Sequence, residues 1–245
     1  MKLKFAAFII VLFVLCFAGV FAKNNYNVIL PQNNSSQNAD VNIHSDEQTL
    51  FILDYSNSMN EMLLDKTKYE MLLESMKIIL SKMSPKNKIG LRVYGQRWGF
   101  TPLDACRASC LAVPIGVNTY GEISQALARY KPRGMTPITY SLKQAVQKDF
   151  RGIDGEKHII LITDGGENCD ESPCKYAIEL VKYRKDIRID VIALNIDSYD
   201  DLEQLECTAK VTRGMLYNAD TKAELLHSLN QAVKSKKSVE AKILY

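Results

Sequence analysis

Short apolar runs that alternate with stretches of helical periodicity are the strongest constraint on how this chain can fold. Residues 49–53, 89–94, 158–163 and 187–195 are largely apolar and too short for buried helices, so they read as strands. Between the first two, Tyr69, Leu72, Leu73, Met76, Ile79, Leu80 and Met83 recur at steps of three and four and line one face of a helix. Ser84-Pro85 stops it. Helices are also expected over residues 122–130, 138–150, 173–183, 200–208 and 222–234. Pro137 opens the second of these, and Leu225, Leu226, Leu229 and Val233 line one side of the last. Residues 111–117 form a further strand, placed at an edge because Pro114 has no N–H to donate. Residues 214–217 form a short last strand, and residues 95–110 a long loop holding the single Trp, Trp98.

Strands that alternate with helices imply an α/β fold, a doubly wound and mostly parallel central sheet with helices on both faces. Right-handed crossovers bring the loops after the strands to one edge. Ligands in such sheets bind at that edge, near a topological switch point. The 245 residues suit one such domain, over residues 49–236, once the flanks are set aside.

Met1-Lys2-Leu3-Lys4 is a short positive region, residues 5–20 are almost wholly apolar, and Val20-Phe21-Ala22 offers small residues to a signal peptidase. Residues 1–22 therefore read as a secretory signal peptide. The alternative is an uncleaved anchor, for which the run is near the lower length limit. Phe13-Val14-Leu15 lacks the small residues that would make Cys16 a lipoprotein site. Residues 23–48, rich in Asn, Ser, Gln and Asp, form a flexible lead-in with a short strand at 26–30, and residues 237–245 a tail. Export to the periplasm or the exterior follows, with no stable membrane insertion after cleavage. The net charge is only +3, and acidic and basic residues alternate, as in residues 182–190. No basic stripe with interleaved aromatics is present, which argues against nucleic acid.

Export changes how the cysteines read. An oxidising compartment favours disulfides, and the exported chain carries Cys106, Cys110, Cys169, Cys174 and Cys207. Cys169 and Cys174 are close in sequence, so a local bridge is expected. The odd count leaves one thiol free or joined to another chain. Zinc would need four ligands at recurring spacing, which His44, His158 and His227 do not supply.

The residues with chemistry to offer fall at the ends of the expected strands. Asp54-Tyr55-Ser56-Asn57-Ser58 follows the first strand, Thr136 sits in Gly134-Met135-Thr136-Pro137, and Asp164 closes the most apolar strand before Gly165-Gly166. Asp54, Ser56, Ser58, Thr136 and Asp164 offer oxygen only, which suits a hard cation such as Mg²⁺, with Mn²⁺ or Ca²⁺ as alternatives. Asn57 is expected at a left-handed turn, and Gly134, Gly165 and Gly166 to provide backbone freedom. Taken singly, each residue has a plainer reading: the serines or Thr136 as helix caps, Asp164 as a turn residue. Glu167, Asp170 and Glu171 read as a solvated acidic rim. Arg97, Trp98 and Arg107 lie in a loop that is either ordinary or part of a recognition surface.

Asp-x-Ser-x-Ser, a distant Thr before Pro, and Thr-Asp-Gly after a buried strand resemble the metal-ion-dependent adhesion site of von Willebrand factor A domains, over residues 49–234. The resemblance implies a sheet with one antiparallel edge strand and no catalysis. It implies that Asp54, Ser56, Ser58, Thr136 and Asp164 hold one divalent cation, directly or through water. An acidic group from a protein or matrix partner would complete the coordination. The segments 90–95, 134–138 and 164–169 further resemble a secreted bacterial subgroup with cysteines beside the site. Asn57 departs from the usual Gly. Two other functions compete: a structural subunit of an envelope assembly, and a phosphatase of the haloacid dehalogenase type. The latter usually needs a second carboxylate where Ser56 stands.

Overall fold

The computed structural model describes residues 47–234, so the signal segment, the strand expected at 26–30 and the tail lie outside the described residues. Six strands, β1 (Gln48–Asp54), β2 (Lys88–Tyr94), β3 (Ser109–Gly116), β4 (Lys157–Thr163), β5 (Ile187–Leu194) and β6 (Leu216–Ala219), form one sheet in the order β3-β2-β1-β4-β5-β6. Neighbours run parallel except β2 and β3, which pair antiparallel at the edge. Pro114 lies in that edge strand, where a missing N–H costs no ladder bond. The helices are α1 (Lys68–Ser81), the one-turn α2 (Pro102–Ala105), α3 (Tyr120–Arg129), α4 (Ile138–Gln144), α5 (Pro173–Tyr183), α6 (Tyr199–Val211) and α7 (Lys222–Lys234). Among the described residues no helix is long and apolar enough to cross a membrane.

The sheet is buried on both faces, and the two-residue period of a strand explains how. Phe51 and Leu53 of β1 join Met76, Leu127 and Leu229 under α1, α3 and α7. Leu50 and Ile52 face the other way, into Leu142, Leu180 and Leu205 under α4, α5 and α6. Each such side chain contributes about 1.5–3 kcal/mol through burial. Local chemistry sets the helix ends. Thr67 Oγ1 accepts the Glu70 N–H while Glu70 Oε2 accepts the Thr67 N–H, a reciprocal cap on α1. The Glu74 carboxylate on α1 binds Lys222 at the start of α7 and, at 2.5 Å, Lys66. Arg92 of β2 forms a buried two-pronged pair with Asp149, at 2.6 and 2.7 Å.

Several boundaries differ from expectation. The loop expected over residues 95–110 contains α2, because Thr101 Oγ1 accepts the Asp104 N–H and Pro102 opens a turn; β3 then starts at Ser109. The helix expected over 138–150 is α4 continued by a wider π turn, Ala145–Asp149. The strand expected at 214–217 starts at Leu216, because Thr212 to Gly214 close α6: Arg213 has φ 65° and Gly214 N–H donates to Ala209 O at 2.9 Å. The local Cys169–Cys174 bridge does not form. Ser172 accepts the Lys175 N–H and Pro173 starts α5, so Cys174 sits in the first helical turn and bonds Cys207 of α6. Cys169, on the preceding loop, bonds Cys106 instead, and Cys110 keeps a free thiol.

Candidate metal centre

Strands β1 and β4 are adjacent and parallel, with Leu53 opposite Ile162. The strand order reverses between them, so their outgoing loops diverge and leave a crevice. The two C-terminal ends deliver Asp54 and Asp164 to it.

Asp54 is fully buried. Its Oδ1 accepts the Ser56 backbone N–H at 2.6 Å. Its Oδ2 accepts the Tyr94 hydroxyl at 3.0 Å and lies 2.8 Å from Thr163 Oγ1. These donors are neutral. Burial, and secondly the charge of Asp164, push the Asp54 carboxyl up to about 7, against the opposing hydrogen bonds from Ser56 and Thr163. Ser58 Oγ donates to Asp164 Oδ1 at 2.8 Å, and Ser56 Oγ lies 2.9 Å from Ser58 Oγ. A hydroxyl has one proton, so Ser56 donates to Ser58 and the bonds run in one direction toward Asp164. Asp164 Oδ2 accepts from Lys68 Nζ at 3.0 Å, and Lys68 also reaches Glu61 Oε2 at 2.9 Å. Thr136 lines the same open cleft as Ser58, Glu61, Lys68 and Asp164. Its N–H donates to Asn168 Oδ1 at 2.7 Å.

The backbone explains why these loops meet. Ser56 bridges Gly134 in parallel, Asn57 N–H donates to Gly134 O at 3.0 Å, and Gly134 N–H donates to Gly95 O at 2.7 Å. A Cβ on Gly95, at φ +70°, would stand 2.6 Å from Ser56 N, and one on Gly134 would stand 2.5 Å from Arg97 O. Three chain segments therefore touch backbone to backbone. Asn57 is not left-handed, contrary to expectation. It starts a 3₁₀ turn (Asn57–Asn60), and the positive φ belongs to Gly95 on the neighbouring loop. Gly134, Gly165 and Gly166 likewise do not have positive φ; Gly134 serves close approach instead.

Ser56 precedes the 3₁₀ turn but makes no side-chain cap. Pro137, not Thr136, stands at the N-cap of α4, which has no side-chain cap bond. The Asp164 oxygens bond Ser58 and Lys68 rather than their own turn. The set contains two carboxylates and three hydroxyls and no nitrogen or sulfur. Such a set can hold a small hard cation, whose charge would offset the burial and the Asp164 repulsion that raise the Asp54 carboxyl. Among the described residues no three His, Cys, Asp or Glu side chains gather as a metal cluster.

Nearby residues take other roles. Glu167 is not a solvated rim: it is half-buried and accepts the N–H groups of Thr139 at 2.7 Å and Cys169 at 3.0 Å, while burial raises its pKa. Glu171 pairs with Lys143 at 2.9 Å, and Asp170 is exposed. The Cys106–Cys169 bridge fastens this loop to the one bearing α2. There Arg97 pairs with Asp104 at 2.7 Å, leaving Trp98, Phe100 and Leu103 exposed. Arg107 lines a separate cleft with Tyr140 and Glu171.

Glu61 and Lys68 lie outside the quoted motifs; Tyr94, Thr163 and Asn168 lie inside them, but their hydrogen bonds to Asp54 and Thr136 depend on the fold. Lys68 carried a usable signal, because a lysine at a helix N-terminus opposes the helix dipole and needs a local reason.

The family model described as von Willebrand factor type A domain matches residues 47–218. The uncharacterized protein YwmC of Bacillus subtilis strain 168 is 29% identical over 184 residues, covering 71% of this chain and 77% of its own length. YwmD of the same organism is 26% identical over 186 residues, covering 74% and 80%. Among solved structures, the von Willebrand factor type A protein from Catenulispora acidiphila aligns with TM-score 0.61 at 18% identity, over 77% of this chain and 42% of its own. Proximal thread matrix protein 1 of the mussel byssus, described with a zinc-occupied MIDAS motif, aligns with TM-score 0.59 at 19% identity, over 77% of this chain. This chain spans 45% of that protein's length. The vWF domain of the pili tip protein Mfa5 from Porphyromonas gingivalis aligns with TM-score 0.56 at 14% identity, over 77% of this chain and 94% of its own. At these identities the structures share the fold.

Proposed function

The chain belongs to the von Willebrand factor type A domain family, and on that premise we propose that it is an exported binding protein of the secreted bacterial cysteine-containing subgroup. Its metal-ion-dependent adhesion site is formed by Asp54, Ser56, Ser58, Thr136 and Asp164 and takes one Mg²⁺ ion. The observation that carries this reading is the chain of hydroxyls from Ser56 through Ser58 to Asp164, in which neither Ser56 nor Thr136 is used as a helix cap. A cation held there supplies an open coordination position for an acidic oxygen of a protein or matrix partner. The protein's own share is to align the oxygens. Asp54 is braced by Tyr94 and Thr163, Thr136 by Asn168, and the loops by their backbone bonds.

Two long-range disulfides support an oxidising compartment, periplasmic or extracellular. The likeness to a byssus matrix protein and a pilus tip protein supports a binding or structural role rather than catalysis. Ser56 stands where phosphatase chemistry would need a second carboxylate.

Titration calorimetry with MgCl₂, paired with melting curves, tests the reading. Wild-type protein is expected to bind one Mg²⁺ and melt higher in its presence, and Asp54→Ala to lose both responses. A wild type whose melting and heat signal ignore Mg²⁺, Mn²⁺ and Ca²⁺ alike would end it.

A further inference from the structure

Lys68 is the first residue of α1 and is almost fully buried, with 5% of its surface exposed. Two costs attend that position. The N-terminal end of a helix carries partial positive charge, which disfavours an ammonium there. Burial disfavours it further. The residue is held charged by its partners: Glu61 Oε2 at 2.9 Å and Asp164 Oδ2 at 3.0 Å. Its backbone N–H also donates to Glu61 O at 3.0 Å, so Glu61 is fixed from main chain and side chain together.

The two carboxylates of the crevice are treated unequally. Asp54 takes only neutral donors, from Ser56, Tyr94 and Thr163. Asp164 divides its oxygens, Oδ1 to the Ser58 hydroxyl and Oδ2 to the Lys68 ammonium. A positive charge fixed to the chain therefore sits on an oxygen of the cradle that a divalent ion would use. Glu61 is the outer partner, its side chain 65% exposed.

We infer that Lys68 is a built-in counter-cation that competes with the divalent ion for Asp164, with Glu61 as the partner that receives the ammonium when Asp164 is claimed. The inference rests on the adhesion-site reading above and adds how tightly that site binds. Lys68 keeps the crevice folded when no metal is present and sets the affinity low enough for binding to respond to the surrounding cation concentration. It acts through Asp164 and is a positioning residue.

The two partners make opposite tests. Lys68→Met removes the competitor, so the dissociation constant for Mg²⁺, measured by calorimetry with MgCl₂ on the full chain, is expected to fall by about tenfold or more. The metal-free protein is expected to melt lower and to gain more from Mg²⁺ than wild type. Glu61→Gln removes the receiving partner and leaves the ammonium on Asp164 alone, so Mg²⁺ binding is expected to weaken several-fold. A loss of packing in Lys68→Met would weaken its binding and leave Glu61→Gln unchanged, so tighter binding in the first and weaker in the second separate the two explanations. Should Lys68→Met fail to fold, Glu61→Gln carries the test, because Glu61 is exposed and adds no core packing. A wild type that binds Mg²⁺ while Lys68→Met binds no tighter, or Glu61→Gln no weaker, overturns this inference alone. Failure of wild type to respond to Mg²⁺, Mn²⁺ and Ca²⁺ alike overturns the adhesion-site reading and this inference with it.

Discussion

Ser58 Oγ donates to Asp164 Oδ1 at 2.8 Å across a separation of 106 residues. This bond joins the loop leaving β1 to the loop leaving β4 at the place where the sheet's winding reverses. Ser58→Ala removes it without adding bulk. The expected cost in stability is about 1 kcal/mol, the usual worth of one hydrogen bond. Mg²⁺ affinity is expected to fall much further than stability does. Urea denaturation and calorimetry with MgCl₂ on the same sample check both halves.

Gly95 has φ +70°, and a Cβ there would stand 2.6 Å from Ser56 N. Gly95→Ala must strain its own backbone and displace the loop that carries two candidate ligands. The left-handed conformation alone is expected to cost about 1–2 kcal/mol. The melting rise produced by Mg²⁺ is expected to disappear even where the variant stays folded, which paired melting curves with Mg²⁺ and with EDTA would reveal.

Non-reducing digestion and mass spectrometry are expected to find Cys106 joined to Cys169 and Cys174 joined to Cys207, with Cys110 the one cysteine among the described residues open to alkylation. Replacing Cys174 and Cys207 by Ser is expected to cost about 2–4 kcal/mol, because the unfolded chain regains a loop of considerable length. Recovery of a peptide joining Cys169 to Cys174 would contradict the structure.

Arg92 and Asp149 are both buried and joined by two bonds. Arg92→Met leaves an unpaired buried carboxylate at the end of the π turn that continues α4. Breaking such a pair on one side is expected to cost about 3–5 kcal/mol. The shift in the urea midpoint measures it.

Lys222 first, and Lys66 second, hold the Glu74 carboxyl at about 2, below its usual 4.5. A depressed carboxylate stabilises the folded state above its unfolded pKa and loses that contribution as pH falls through the folded one. The melting difference between wild type and Glu74→Gln is therefore expected to be present at pH 6, to shrink below about 4.5 and to vanish near 2. Because the pair is solvent-exposed, added salt is expected to reduce the difference.

The fold was legible because its signal is carried by short-range pattern. The apolar runs that became β1, β2, β4 and β5, and the helices α5 and α7, are stated by periodicity, with Ser172-Pro173 also marking the start of α5. Three cradle residues, Asp54, Ser56 and Ser58, lie in one motif, and topology alone brings Asp164 beside them. Three misses share a cause: each depended on which distant segment faced which. Cys169 and Cys174 are neighbours in sequence, yet a helix start turns them to different partners. Glu167 reads as a surface acid until Thr139 N–H is seen beside it. Lys68 stands at a helix N-terminus, where a lysine is disfavoured, but its partner is visible only once the fold places Asp164 at its tip.

The two disulfides are almost end to end, since Cys169 and Cys174 are separated only by a short segment opening α5. Tension applied between the α2 loop and α6 can therefore travel from Cys106 to Cys207 wholly along covalent bonds, without loading the hydrogen-bonded strands. Such a tether would let these loops bear mechanical load while the sheet beneath keeps its register.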